Sequence, residues 1–140
     1  MTPLVSRRVR LACTVLLVCW CAASWTISAQ SDPEGYTGVH LHLNDKVEHF
    51  IEYGTGGLLA AGAFGSLTRP WLAAIVFCGL WGVGDEIHQS FVPGRDSSGM
   101  DVAADVTGAS AGALALTWWA GRRQSGAAAA DRDDKERRPA

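Results

Sequence analysis

Four long apolar stretches, separated by short polar segments, dominate the hydrophobic pattern of the chain. They cover roughly residues 9–29, 45–67, 71–91 and 101–120. Each has about the 20 helical residues that are needed to cross the hydrocarbon core of a bilayer. The pattern therefore predicts an all-α polytopic membrane protein, built as a bundle of four transmembrane helices.

Charged side chains are confined to one end of these stretches and to the segments between them. None occurs in residues 11–30 or in residues 70–84. The hydrophobic content of 48 % would also suit a soluble protein, so it is the distribution of charge that favours a membrane protein. The formal net charge of −2, without a basic stripe or an aromatic RNA-binding motif, gives no support to nucleic-acid binding. The predicted surroundings are a lipid bilayer.

Basic residues near the helix ends predict the orientation. Six lie on one side of the predicted membrane, namely Arg7, Arg8, Arg10, Arg69, Arg122 and Arg123, and two lie on the other, namely Lys46 and Arg95. Because cytoplasmic loops are enriched in Lys and Arg, both termini are predicted to be cytoplasmic. The expected location is the cytoplasmic (inner) membrane, with several crossings.

The chain divides into three predicted parts. Residues 1–30 form an N-terminal transmembrane helix, which also has the features of a signal anchor or of a signal peptide cleaved after Ala29. Residues 38–121 carry the other three helices, after a short polar loop outside the membrane. Residues 122–140 form a charged cytoplasmic tail, predicted to be disordered or at best loosely helical because it lacks apolar periodicity.

Small residues recur where helices could touch. Gly108 and Gly112 form a GxxxG pattern, which Ala104 extends by one step. Further glycines on the second and third stretches are Gly54, Gly56, Gly57, Gly79, Gly82 and Gly84. These positions predict closely packed helices, within one chain or in a homo-oligomer.

Polar side chains gather at the outward ends of three stretches. Residues three and four apart share a helix face, which places these residues together in the second stretch: Asp45, Glu48, His49 and Glu52. Asp85 shares a face with His88 and Gln89 in the third stretch, and Asp101 lies above Asp105 in the fourth. A charge at the bilayer centre costs about 2.5–3.5 kcal/mol on insertion scales. The groups are therefore expected to pair, to be protonated or to line a wet cavity.

The chemistry of this polar set stays open at the level of sequence. Histidines and carboxylates can bind a divalent metal, but no HExxH or comparable ligand spacing occurs, so no metal site is predicted. A buried carboxylate beside a histidine could perform acid–base catalysis. It could equally hold a phosphate-bearing or cationic ligand beside Arg95. The sequence identifies no cofactor and leaves open whether the protein is an enzyme.

Three sequence blocks carry a family resemblance. Residues 45–50 match the pattern DKxxH, residues 85–95 match DExxQxFxPGR, and residues 100–108 have an aspartate followed by a spaced polar residue and a glycine. In order and spacing the blocks resemble the VanZ-like family of small membrane proteins. The resemblance covers roughly residues 38–120 and leaves the first stretch and the tail outside.

The resemblance implies a polytopic envelope protein, in a family whose name-giving member lowers susceptibility to the glycopeptide teicoplanin. The residues that follow the family pattern are Asp45, Lys46, His49, Asp85, Glu86, Gln89, Pro93, Gly94, Arg95, Asp101 and Gly108. At Asp105 this chain has an acid where the family pattern often has an asparagine.

The resulting hypothesis is an outward polar pocket that acts on or binds an envelope lipid or a cell-wall precursor. His49 and Asp85 are expected to form a proton-exchanging pair, with Glu86 as the third catalytic candidate. The ligand-binding candidates are Asp45, Lys46, Gln89, Arg95, Asp101 and Asp105, with Arg95 holding an anionic headgroup. The alternatives are a hydrolase or transferase acting on lipid-linked phosphate, a small proton-coupled transporter that uses Glu52 and Asp105, and a structural assembly partner.

Overall fold

The computed structural model describes residues 3–37, 44–95 and 97–137, apart from the side chains of Pro33 and Glu34. The helices are α1 (Arg7–Ser28), α2 (Pro33–Thr37), α3 (Asp45–Ala63), α4 (Pro70–Gln89) and α5 (Gly99–Arg137). All regular secondary structure in these residues is helical, which confirms the all-α prediction. The short α2 lies in the segment that was predicted to be a loop.

The helices begin where the sequence offers capping groups. The Ser6 hydroxyl accepts a hydrogen bond from the backbone N–H of Val9 at the start of α1. The Asn44 side chain accepts one from the backbone N–H of Lys46 at 3.0 Å, at the start of α3. Pro70 opens α4, where its missing N–H is not needed. The first turn of a helix leaves its backbone N–H groups without a partner. Ser6 and Asn44 each accept a hydrogen bond from one of these groups, and Pro70 has no such group to satisfy.

One end of the bundle brings together the start of α1, the end of α3 and the middle of α5. The backbone N–H of Leu4 donates to the carbonyl of Gly65 at 2.7 Å. The amide of Gln124 donates to the carbonyls of Pro3 and Leu4 at 3.2 and 3.1 Å. The N-terminal residues are thereby fixed against both other helices.

The opposite end, which we call the polar end, joins the ends of α1 and α4 to the starts of α3 and α5. Trp25 stacks on His88 with ring centroids 4.1 Å apart, and Lys46 pairs with Asp101. The four long helices therefore alternate in direction along the chain. Three of the four helix ends at the polar end carry the charged residues that were predicted to gather there.

The helices α3 and α5 run parallel with their backbones in contact. A Cβ added at Gly108 would collide with the carbonyl oxygen of Phe50, and one at Gly112 with that of Gly54. At Gly57 the obstacle would be the backbone of Ala109. The predicted contact through glycines is thus present. Gly84 differs from the prediction, because nothing lies within 4 Å of the position that its Cβ would take.

Small side chains fill the centre of the bundle, and large apolar side chains cover its outside. The fully buried apolar residues are Tyr53, Ala60, Ala61, Ala74, Cys78, Ala109 and Ala113. The exposed large ones include Leu11, Val15, Leu16, Val18, Val76, Leu80, Trp118 and Trp119. An apolar exterior around a small-residue interior is typical of helices that pack in lipid.

Within the described residues, α1 and α4 are long and apolar enough to cross a membrane. Length and apolarity alone would also suit a signal sequence or the core helix of a soluble protein. Only 17 % of the apolar window of α1 and 33 % of that of α4 are buried, however, whereas a soluble core helix would be mostly buried.

The tail differs from the prediction of disorder. Helix α5 continues without a break to Arg137, with every residue from 121 to 137 exposed. Four consecutive alanines at 127–130 have the highest helix propensity. Ion pairs one turn apart follow them, Lys135 with Asp131 at 2.6 Å and Arg137 with Asp133 at 2.9 Å. Helix propensity and ion pairs thus support a helix in a segment that has no apolar periodicity. Residues 138–140 of the predicted tail lie outside the described residues.

Candidate ligand-binding site

The predicted catalytic and ligand-binding residues lie at the polar end in two groups. The first, which we call the lysine–histidine cluster, joins α3 to α5 and consists of Asp45, Lys46, His49, Asp101 and Asp105. The second, which we call the arginine cluster, lies on α4 and the loop after it and consists of Asp85, Glu86, Gln89, Arg95 and Ser98.

Lys46 is the cation of the first cluster. Its ammonium group contacts Asp45 Oδ2 at 2.9 Å and also contacts Asp101 Oδ1. The Asp101 carboxylate is buried, whereas the side chain of Asp45 is 64 % exposed. Asp101 lies in the first turn of α5, where the helix dipole also favours a negative charge. Lys46 therefore connects the first turns of α3 and α5.

His49 and Asp105 form the buried pair of the cluster. His49 Nδ1 lies 2.8 Å from Asp105 Oδ1, and the two residues are only 8 % and 1 % exposed. A Cβ at Gly82 would meet Asp105 Oδ2 at 2.6 Å, so the glycine of α4 makes room for this carboxylate. The expected pair of His49 with Asp85 is therefore corrected: the parallel contact of α3 with α5 places Asp105 beside the imidazole instead.

The second ring nitrogen of His49 faces the polar end. Nε2 lies 3.9 Å from Asp45 Oδ1, which is too far for a hydrogen bond. The ring also lies nearly parallel to that of Tyr53, with centroids 6.4 Å apart. An imidazole whose Nδ1 is held by a carboxylate has a fixed orientation and tautomer, which leaves Nε2 available for a further contact.

The arginine cluster is a chain of side-chain hydrogen bonds. Gln89 Nε2 donates to Asp85 Oδ2 at 2.9 Å, and Arg95 Nη2 donates to Gln89 Oε1 at 3.0 Å. Arg95 follows a turn in which Pro93 precedes Gly94, and Gly94 has a φ of +83° that favours glycine. The turn brings the guanidinium back over the end of α4. Gln89 thus links the guanidinium of Arg95 to the carboxylate of Asp85, although these two groups share no hydrogen bond in the described contacts.

Two buried carboxylate oxygens in this cluster have no hydrogen-bond partner among the described residues. They are Asp85 Oδ1 and Glu86 Oε1. The other oxygen of Glu86 accepts a hydrogen bond from the backbone N–H of Ser98 at 2.7 Å. An unpaired buried acceptor costs about 1–3 kcal/mol. Both oxygens therefore need a donor from outside the described contacts.

Glu86 also lines a groove of about 260 Å³ between α4 and the start of α5. Val83, Ile87 and Val102 form its apolar part. Its polar part consists of Glu86, Ser90, Ser97 and Ser98. Gly99 is the remaining residue that lines the groove. The groove is open, so a ligand would enter it from the side of the bundle.

The structure adds polar residues that the sequence did not indicate, and it places one predicted residue differently. Tyr53 is fully buried, and its hydroxyl has no hydrogen-bond partner within the described part of the chain. Only its position one turn after His49 could have indicated a place next to the site. Glu52 has no hydrogen bond to either cluster within the described contacts and lies beside Ser24 of α1. Ser98 takes part through its backbone, which no side-chain pattern could indicate.

Apolar helices around a buried polar end define a small α-helical membrane protein. The chain matches the VanZ/LLP1 family over residues 9–120, which is most of its length, and it belongs to that family. The comparisons with curated proteins and with solved structures give no match. The family match begins at Val9 and so includes α1, which the resemblance seen in the sequence had left outside.

Proposed function

We propose that all four long helices cross the cytoplasmic membrane, with both termini in the cytoplasm and the polar end outward. In this proposal the polar end binds an envelope lipid or a lipid-linked cell-wall component. The alternating directions of the helices and the arginines near the opposite end support the orientation.

The buried charges of α3 and α5 are compatible with a membrane location because they are directed at other helices and not at lipid. His49, Asp101 and Asp105 are buried between helices. At the opposite end Arg122 and Arg123 lie over the rings of Trp118 and Trp119, at 4.2 and 4.0 Å from the ring centroids. Tryptophan and basic residues together are typical of the membrane interface.

The groove between α4 and α5 is the observation that carries the proposed ligand class. One side of it is apolar and the other is lined with hydroxyl groups and a carboxylate. A lipid presents the same combination, an acyl chain beside a polar headgroup. The Glu86 carboxylate, which lines the polar side, would accept a hydrogen bond from a hydroxyl or amide of that headgroup.

Arg95 supplies the positive group for the same headgroup. Its side chain is half-buried, and one nitrogen, Nη2, donates to Gln89. A guanidinium presents five donors in a planar fork, which suits a phosphate. A phosphate near Arg95 with hydroxyl or amide groups near Glu86 describes a phospholipid or a lipid-linked precursor equally well.

Filling the groove should remove lipid binding. We expect Ile87→Trp to reduce the amount of a photoactivatable anionic phospholipid that crosslinks to the purified protein by about 10-fold, because the ring occupies the apolar side. Leu80→Trp is the matched control, since Leu80 lies on the same helix, is 70 % exposed and does not line the groove. Equal crosslinking of both variants and the wild type would contradict the proposed site.

The same pair of variants tests the link to teicoplanin that the family resemblance implies. In a sensitive Gram-positive host, the wild type and Leu80→Trp should lower susceptibility to teicoplanin, whereas Ile87→Trp should not. If neither the wild type nor the variants change susceptibility at normal membrane abundance, the chain does not share that property of the name-giving member.

A second candidate is a hydrolase or transferase that acts on lipid-linked phosphate. The observation that favours it is the His49 imidazole, held at Nδ1 by Asp105 with Nε2 facing the polar end. In that orientation Nε2 could accept a proton from a nucleophile or donate one to a leaving group. Turnover of a lipid-linked phosphate by purified protein, lost in His49→Gln, would favour this candidate over a binding function.

A further inference from the structure

Three potential metal ligands meet in the lysine–histidine cluster, although they come from two helices. One ligand atom each from Asp45, His49 and Asp101 lies within 4.8 Å of the others. Ligands around a tetrahedral zinc, with bonds of about 2.0–2.2 Å, lie about 3.4 Å apart. Because the side chain of Asp45 is largely exposed, it can rotate and bring its carboxylate closer to the other two ligand atoms.

The orientation of His49 is a second, independent observation. A histidine that binds a metal usually has its other ring nitrogen hydrogen-bonded to a carboxylate. His49 Nδ1 has this bond, to Asp105. Its Nε2 has no hydrogen bond among the described residues and is directed towards Asp45, although the side chain is 90 % buried. The bond to Asp105 therefore fixes the imidazole with Nε2 on the side of Asp45, at a distance too long for a hydrogen bond.

The balance of charge also favours a cation. The two clusters contain five carboxylates, from Asp45, Asp85, Glu86, Asp101 and Asp105, against the two permanent cations Lys46 and Arg95. Lys46 contacts the same two carboxylates that a metal would use. Its side chain is 40 % exposed, so its ammonium group can move outward into solvent.

We propose that Asp45, His49 and Asp101 bind a divalent transition metal of the Zn²⁺ type, in competition with the ammonium group of Lys46. One nitrogen and two oxygen ligands leave a position open for water or for a ligand oxygen, as in catalytic zinc sites. Asp105 orients His49 and is not itself a ligand. None of the three proposed ligands lines the groove between α4 and α5.

Competition between Zn²⁺ and Lys46 predicts in which direction each variant changes the affinity for Zn²⁺. Full-length protein without an affinity tag, purified in detergent and treated with a chelator, is titrated with Zn²⁺ by calorimetry, and Co²⁺ absorption reports the ligand geometry. We expect one Zn²⁺ per chain. Lys46→Met should bind it at least about 10-fold more tightly, because the competing cation is gone. Asp45→Asn, at a position whose side chain is 64 % exposed, should bind it at least about 10-fold more weakly.

Asp133→Asn is the matched control, because it removes a carboxylate from the exposed part of α5. It should bind Zn²⁺ like the wild type. If Lys46→Met leaves a buried carboxylate unpaired and fails to fold, Asp45→Asn still decides the question. Binding that is unchanged in Asp45→Asn, or absent from the wild type, would overturn the metal site and would leave the lipid groove untested and unaffected.

Discussion

Gly112→Leu should prevent the protein from folding to a stable bundle. The added side chain would point at the carbonyl oxygen of Gly54, and its Cβ would lie 3.0 Å from the backbone nitrogen of Leu58. A backbone cannot move aside by changing a rotamer, so α3 and α5 would have to separate. Overpacking of a core typically costs about 1–3 kcal/mol, and here it also removes the close packing that holds membrane helices together.

Gly121→Leu is the control for this variant. Gly121 lies on the same helix, and nothing lies within 4 Å of the position that its Cβ would take. The measurement is the fraction of monodisperse protein after extraction into detergent, followed by thermal unfolding of that fraction. We expect Gly121→Leu to match the wild type and Gly112→Leu to lose most of the monodisperse protein. Equal stability of the two variants would show that the α3–α5 contact is looser than described.

His49→Ala should destabilise the protein by about 1–3 kcal/mol, which is the usual cost of leaving a buried acceptor without its hydrogen bond. The variant leaves the carboxylate of Asp105, which is 1 % exposed, without its hydrogen bond. His49→Ala combined with Asp105→Asn should recover part of the loss, because a neutral amide is less costly to bury than a charge. The measurement is denaturant unfolding in detergent, followed by tryptophan fluorescence.

An exposed ion pair provides the comparison for His49→Ala. Asp133→Asn breaks the contact with Arg137 on the surface of α5 and should change stability by no more than about 0.5 kcal/mol. If the double variant is as unstable as His49→Ala, the loss comes from packing around the imidazole, including Tyr53, and not from the charge of Asp105.

The helix positions could be predicted from the sequence because apolar length and capping residues are local properties. The second predicted stretch and α3 both begin at residue 45, after the cap provided by Asn44. The third predicted stretch and α4 begin one residue apart, at Trp71 and Pro70. The extension of α5 was missed because alanine and paired charges support a helix without producing an apolar stripe.

The membership of the site could be predicted, but the partners within it could not. Spacing along a helix shows which residues share a face, and it indicated that Asp85 and Asp105 both face the interior. Which of them meets His49 depends on the distance between helices. That distance is set by glycine contacts such as Gly108 with Phe50. The meeting of Asp101 with Asp45 and His49 could not be predicted for the same reason, since Asp101 is distant in sequence from the other two.

The orientation of the polar end is the central claim, and labelling of single cysteines in intact cells tests it most directly. Ser97→Cys near the polar end and Ser125→Cys near the opposite end are introduced separately, after Cys13, Cys19, Cys21 and Cys78 are replaced by alanine. Both serines are exposed. A membrane-impermeant maleimide should label position 97 in intact cells and position 125 only after lysis. Labelling of position 125 but not 97 in intact cells would place the polar end in the cytoplasm and contradict the account.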